Sequence, residues 1–515
     1  MNTESLSYKT LKNSIYGLIG YIWPILFSIF VTPLLVYKLG VGQFGLYILV
    51  TTIAGFAGLI DLGFANALLK YIAEYHAVGD QERLKKLIYS ANTLLALLGI
   101  LFILFFLATG FLINNYFPKY LQGSEYSSAV FFLAGLNMFV VSISGVFAIA
   151  PNALQRYDIT TKIGITNLTF SNLAIWYLAK NGFGLKAIML SQVVFSFFLF
   201  LSYYYYSKKI LSIIDLKFEW FKEEIIKCYK YGIYIFLSNI GLSSFSQLDR
   251  LVMPAYLGTV SLTYYSLPGN ITGKISGLVG SLTNMFFPMA SGLSGIGRTE
   301  DIKKIYIRSI KFITVIASGL TVLVATFSYK ILFFWINKDV ADNSAQVLVI
   351  LAFTFFLIAI ASPLLNFLYG MGRARFLAVS SLTMAGINIV LLLLLLPRFG
   401  IVGAAWAYFG SALYIIFMLY YMEVKILHLS DTWRDYVKLY IKIIVNSIVF
   451  FAIATYLILP FIHNLWSLVF CGGLAAACYY LTYWLFGFFE KEDVELVKRF
   501  VLFSLRKRLN SQKSI

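Results

Sequence analysis

YKLGVGQFGLYILVTTIAG (37–55) and AYLGTVSLTYYSLPGNITG (255–273) lie 218 residues apart and match at Leu39/Leu257, Gly40/Gly258, Tyr47/Tyr265, Leu49/Leu267, Ile53/Ile271 and Gly55/Gly273. The same offset sets ERLKK (82–86) over EDIKK (300–304). At an offset of 216, Asn172 meets Asn388, Phe183 and Gly184 meet Phe399 and Gly400, and YYYSKKIL (204–211) lies over YYMEVKIL (420–427). Matches that recur at nearly one offset over about 200 residues define an internal repeat, a common feature of membrane transport folds.

The surrounding composition sets the medium. The 515 residues are 60% hydrophobic and 12% charged, with a mean hydropathy of +0.81, far too apolar for a water-soluble globular chain. Runs of about 20 apolar residues, the length that crosses a hydrocarbon core of roughly 30 Å, recur along almost the whole chain. Lipid gives the backbone no hydrogen-bond partner, so such runs must be helices. Fourteen are expected, at 13–37, 43–75, 87–114, 127–153, 160–179, 185–206, 231–257, 261–290, 310–329, 344–370, 376–396, 400–422, 440–461 and 464–488. The first lacks a small-residue cleavage site and reads as a retained span rather than a signal peptide.

The expected fold class is therefore an all-α polytopic membrane protein, with two parallel six-helix repeats and two helices appended. The halves are read as 1–214 and 215–430, joined through the charged connection 207–230, with helices 13 and 14 in 431–489. A basic tail, 490–515, places Val494, Val497, Val501 and Leu505 at helical spacing beside Lys498, Arg499 and RKR (506–508). It is expected to lie on the membrane surface.

The net charge of +18 does not call for nucleic acid. Of the 41 Lys and Arg, seven fall beside one set of loops and two inside spans, and all others gather at the opposite set. This is the positive-inside pattern, which places both termini in the cytoplasm and the basic loops against anionic lipid. Cys228, Cys471 and Cys478 have neither disulfide nor metal spacing. There is no Walker-type phosphate loop, no Asp-x-Asp pair, and His76, His428 and His463 sit at loop ends. A transport role rather than an enzyme, without metal or cofactor, is the expectation.

Charges inside the spans identify candidate functional residues. Between Lys230 and Arg298 the only ionisable acids and bases are Asp249, Arg250 and Lys274, and Asp61 stands alone between Lys38 and Lys70. A charge at the bilayer centre costs about 2.5–3.5 kcal/mol, so one that persists usually faces a cavity. Neighbours on a helix point about 100° apart, so Asp249 and Arg250 look toward different partners. Counted from the outer ends of spans 7 and 8, Arg250 and Lys274 differ in depth by about one turn. A guanidinium fork and a movable ammonium suit an anion with two phosphates. The competing reading is a structural network in which the two bases neutralise Asp249 and Asp61. Pro24, Pro33, Pro254, Pro268, Pro288 and Pro363 are expected to kink their helices.

In this setting DLGFANALLKYIAEYHAVGD (61–80) and LDRLVMPAYLGTVSLTYYSLP (248–268) resemble the second and seventh helices of bacterial polysaccharide flippases. These belong to the multidrug/oligosaccharidyl-lipid/polysaccharide exporter superfamily. The resemblance implies a V-shaped pair of six-helix lobes in the bacterial cytoplasmic (inner) membrane. Such a protein moves an undecaprenyl-diphosphate-linked oligosaccharide, an O-antigen, capsule or exopolysaccharide unit, from the cytoplasmic to the external leaflet by alternating access. Arg250 and Lys274 would bind the diphosphate or acidic sugars, and Asp249 or Asp61 would couple H⁺ or Na⁺. Gln247 and Asn270 would contact sugar, although these and Asn66, Asn152, Gln155, Asn167, Asn172, Asn239 and Asn284 also suit joints between helices. Helices 13 and 14 would border a groove for the polyprenyl tail. Membrane lipids and a polysaccharide polymerase in the same membrane are the other implied partners. A lipid II flippase would be expected to carry several cavity arginines, and here there is one. A multidrug antiporter for organic cations would favour an acidic cavity, whereas two acids balance two bases here. A membrane polymerase would need a large external loop.

Overall fold

The computed structural model describes residues 3–58, 64–116, 121, 128–154, 156–284, 286–295, 297–429 and 433–485. Asp61 and the tail 490–515 lie outside the described residues. Among the described residues there is no β-strand, as the lipid environment requires. The first half contains α1 (Thr3–Ala57), α2 (Phe64–Val78), α3 (Gln81–Tyr116), α4 (Ser128–Ala153), α5 (Tyr157–Lys180) and α6 (Leu185–Ile210). The second contains α7 (Lys222–Thr283), α8 (Phe286–Gly295), α9 (Thr299–Thr326), α10 (Ser328–Trp335), α11 (Lys338–Gly370), α12 (Ala374–Ala412) and α13 (Tyr414–Tyr420), which runs into a π-helical turn at Tyr421–Ile426. Then come α14 (Trp433–Ile453) and α15 (Leu465–Leu485).

Three of these stretches are bent pairs. α1 reverses at Gly40 (φ 77°, ψ 159°), α7 at Gly258 (φ 76°, ψ 177°) and α12 at Gly400 (φ 60°, ψ −141°). The first two share a backbone region open essentially to glycine alone, and around Gly40 there is open space, so conformation and not crowding demands the residue. Gly40 and Gly258 are 218 residues apart, as are the left-handed turn glycines Gly79 and Gly297. The third pair is Gly182 and Gly400, again 218 apart. The Phe-Gly match at an offset of 216 therefore does not mark equivalent bends, because it sets Gly184, an extended cap residue at φ −73°, over the left-handed Gly400. The repeat is written more consistently in backbone angles than in residue identities.

At the bend end the two halves are welded together. The Thr263 hydroxyl donates to the Val41 carbonyl at 2.6 Å, and the Trp335 indole donates to the Ile29 carbonyl at 2.9 Å. Gly45 lies so near Thr259 that a Cβ would run into the Thr259 carbonyl. One apolar cluster mixes Val31, Phe44, Leu46 and Leu49 with Leu262, Leu267, Leu332 and Leu348.

At the opposite, lysine-rich end, the connection between halves packs on the first. Asn92 donates to the carbonyls of Asp215 and Lys217 at 3.0 and 3.1 Å, and Ser90 accepts from the Phe221 amide at 2.9 Å. Tyr75 donates to Glu224 at 2.7 Å, and Lys227 donates to Tyr75 at 2.9 Å. Leu211, Ile214 and Cys228 are buried among residues of α2, α3 and α4. The appended helices dock on α9 through hydroxyls: Tyr479 donates to Ser318 at 2.8 Å, and Tyr480 donates to the Ile316 carbonyl at 3.1 Å.

Candidate functional site

A cavity of about 300 Å³ opens between the halves, lined by α1, α5 and α7. Its polar lining comprises Ser28, Thr32, Tyr47, Thr51, Thr52, Asn172, Gln247, Arg250 and Asn270. Hydroxyls and amides tolerate a membrane helix when they bond backward to their own backbone. Thr51 does so to the Tyr47 and Ile48 carbonyls at 2.9 and 3.0 Å, and Asn172 to the Leu168 carbonyl at 2.9 Å. Each keeps further hydrogen-bonding capacity on the cavity wall. The side chains of Gln247 and Asn270 have no hydrogen-bond partner among the described residues, which leaves both open to one.

Arg250 is half-buried and lines two cavities at once, this one and a second of about 460 Å³ inside the second half. Its Nη2 lies where only a glycine leaves room, since a Cβ on Gly269 would sit 2.9 Å away. Among the described residues no carboxylate stands within ion-pairing distance of the guanidinium. Asp249 turns the other way, as neighbours on a helix do. It is 2% exposed, accepts the Arg250 amide at 2.9 Å and accepts the Tyr265 hydroxyl. It faces the cavity of the second half, together with Phe245, Tyr265, Met384 and Tyr408.

Lys274 donates to Ser28, itself a wall of the interlobe cavity, so it bridges the halves at the cavity rim. The loopless bend sets the depth relation of the two cations. Arg250 lies 8 residues before Gly258 and Lys274 16 after it, about 12 Å apart in backbone depth, but the guanidinium reaches Gly269, 11 residues past Gly258, and the ammonium reaches Ser28, 12 residues before Gly40. The two charged groups therefore come to nearly the same depth.

Other candidates disperse. Asn167 lines a separate cleft, Asn152 accepts from Thr160 at 2.9 Å, and Asn239 and Asn284 line neither of the two cavities. The side chains of Asn66 and Gln155 lie outside the described set. Ser28, Tyr265 and Tyr408 were not singled out from the sequence, yet the matched pair Tyr47/Tyr265 carried the signal. Each of the two hydroxyls is tied inside its own half, Tyr47 accepting from Gln192 at 3.0 Å and Tyr265 donating to Asp249.

The family described as polysaccharide biosynthesis protein matches residues 10–294, and that described as MatE matches 235–394. A protein of Shigella flexneri named "Putative O-antigen transporter" is 23% identical over 410 residues, spanning 77% of this chain and 93% of its own length. Among solved structures, an inward-closed lipid II flippase, MurJ, superposes with a TM-score of 0.67 at 13% identity, over 92% of this chain and 99% of that one. An inward-facing multidrug resistance transporter of the MATE family and MOP superfamily gives 0.60 at 14% identity, over 81% and 96%.

Proposed function

This chain belongs to the family of polysaccharide biosynthesis proteins and shares the fold of a multidrug transporter of the MOP superfamily, and from that premise we propose that it flips an undecaprenyl-diphosphate-linked oligosaccharide. The unit is of O-antigen, capsule or exopolysaccharide type, and it passes from the cytoplasmic to the external leaflet of the bacterial cytoplasmic membrane. The observation that carries this reading is Arg250. It is a guanidinium with no carboxylate in ion-pairing contact among the described residues, in an interlobe cavity whose other described polar lining is neutral.

The halves, 1–214 and 215–430, rock so that their contact at the glycine bends parts when the lysine-rich end closes. With the lysine-rich end and both termini in the cytoplasm, the welded end is the external gate. The headgroup enters from below, meets Lys274 at the rim, and is gripped by Arg250 through its phosphates, where the planar fork matches two oxygens. Gln247 and Asn270 offer open donors and acceptors to sugar hydroxyls. The polyprenyl tail stays in lipid, along an apolar groove of about 460 Å³ that includes Phe353, Phe356, Ile443, Ile448 and Phe451 on α11 and α14. Asp249, in the second cavity, whose wall Arg250 shares, is the coupling site, and H⁺ suits a carboxylate bonded to a tyrosine better than a cation that needs several oxygens. Asp61 stays a second candidate for that role. The product feeds a polysaccharide polymerase in the same membrane.

The aromatic and methionine lining around Asp249 favours a second reading, an organic-cation antiporter that uses the inner cavity. Transport in proteoliposomes separates the two. A labelled polyprenyl-diphosphate oligosaccharide should cross under a proton gradient in the wild type and fail in Arg250→Ala and Lys274→Ala. Uptake of an organic cation that depends on Asp249 but not on Arg250, with no lipid-linked sugar moved, would replace the flippase by the antiporter.

A further inference from the structure

α5 and α6 part at the lysine-rich end and leave a cleft of about 860 Å³ between them. Its mouth holds Arg156, Lys162 and Lys209 and one carboxylate, Asp158. Arg156 is taken by Asp158 at 3.0 and 3.1 Å, and Lys208, next along the chain, is turned to Asp215 at 3.3 Å. Lys162 and Lys209, both exposed, have no anionic partner among the described residues.

The cleft changes character with depth. Lys209 is in the last turn of α6 and Lys162 in the second turn of α5, so both sit where helices leave the hydrocarbon. Asn167 comes next, with no side-chain partner among the described residues. Phe170, eight residues and about 12 Å deeper than Lys162, then forms an apolar wall with Phe198, and they are 58% and 55% exposed. Cations at the mouth, a free amide, then uncovered aromatic surface at acyl-chain depth is the outline of an amphiphile with an anionic head. The interlobe cavity takes Asn172 and Ile175 from another face of α5 and shares none of these side chains.

We propose that this cleft is a specific site for an anionic phospholipid of the lysine-rich leaflet, its phosphate between Lys162 and Lys209 and an acyl chain against Phe170 and Phe198. A soluble anion has no use for the aromatic wall, and a zwitterionic lipid gains little from two ammonium groups. Because α5 also carries Asn172 of the interlobe cavity and holds α1 through Trp23, which donates to Thr169 at 2.9 Å, the lipid wedges a helix that shapes the transport path.

The test is native mass spectrometry of the full chain titrated with phosphatidylglycerol or phosphatidylcholine. The wild type should retain one phosphatidylglycerol in preference, and Lys162→Ala/Lys209→Ala should bind it about 30-fold more weakly, at about fivefold per lysine. Lys162→Arg/Lys209→Arg should keep it. Equal retention by the wild type and the double-alanine variant, or no preference over phosphatidylcholine, overturns the proposal. Displacement by glycerol 3-phosphate at comparable concentration would reduce the site to a phosphate site and overturn the lipid assignment. As a check independent of folding in the variants, a photoreactive phosphatidylglycerol should label wild-type peptides from 157–170 and 195–210. Labelling confined to other helices would also overturn it.

Discussion

Replacing Arg250 by alanine separates the two roles that an intramembrane arginine can have. If the guanidinium neutralised a buried carboxylate, its loss would strand that charge and cost about 3–5 kcal/mol of stability. The geometry says otherwise: Asp249 keeps the Arg250 backbone amide and the Tyr265 hydroxyl whichever side chain follows it. No described carboxylate is in ion-pairing contact with the guanidinium, which acts on Asp249 only through space, so truncation should lower stability by less than that amount. Affinity for the diphosphate is where the loss should fall. A charged hydrogen bond contributes about 1.5–3 kcal/mol, and a fork supplies two that are not independent, so about 3 kcal/mol, roughly a hundredfold in Kd, is the expected loss. Arg250→Lys keeps the charge but not the fork and should lie between, near tenfold. The assay pairs thermal unfolding of the detergent-solubilised protein with binding of a short-chain polyprenyl diphosphate to the same preparation. A steep drop in unfolding temperature with unchanged Kd would refute the reasoning and return Arg250 to a structural pairing.

Gly45→Ala overpacks the weld at the bends, at about 1–3 kcal/mol, and, with that weld as the proposed external gate, should raise labelling of a cysteine placed at Thr263 from the external side about tenfold or more. Gly55→Ala, whose added Cβ meets only Gln247 Oε1 at 3.6 Å, should leave that labelling unchanged. Tyr265→Phe removes the one side-chain donor to Asp249 among the described residues and should uncouple transport from the proton gradient while diphosphate affinity is kept; an unchanged gradient dependence would remove Asp249 from the coupling role. Burial pushes the Cys228 thiol up to about 12, so the folded protein should resist maleimide there at pH 7, because the thiolate is the reactive form. Asn92→Ala, which releases the connection at 215–217, should speed Cys228 labelling at least tenfold, about 1 kcal/mol for each of two lost bonds.

The helical class and the duplication could be read from the sequence because lipid admits few solutions and because bend glycines such as Gly40 and Gly258 are chemically obligatory. The Gly182/Gly400 equivalence could not, since a Phe-Gly coincidence two residues away aligned better by identity than by conformation. Arg250 and Lys274 stood out as charges in an apolar field. Their reach to Gly269 and to Ser28 did not, because it depends on a helical hairpin that spends a single residue on its reversal. Ser28 was invisible for a different reason: a serine in a membrane helix commonly satisfies itself on its own backbone, as Ser28 also does with the Ile25 carbonyl at 2.7 Å, and only proximity to Lys274 gives it a second task.

The loopless bend at Gly258 has a mechanical consequence. With no slack between them, the two arms of α7 move as one rigid body, so a tilt that parts the weld carries Arg250 on one arm and Gly269 on the other together. The guanidinium and the glycine that makes room for it keep their spacing through such a tilt. The Lys274–Ser28 contact, which crosses between the halves, is the one that a tilt must strain.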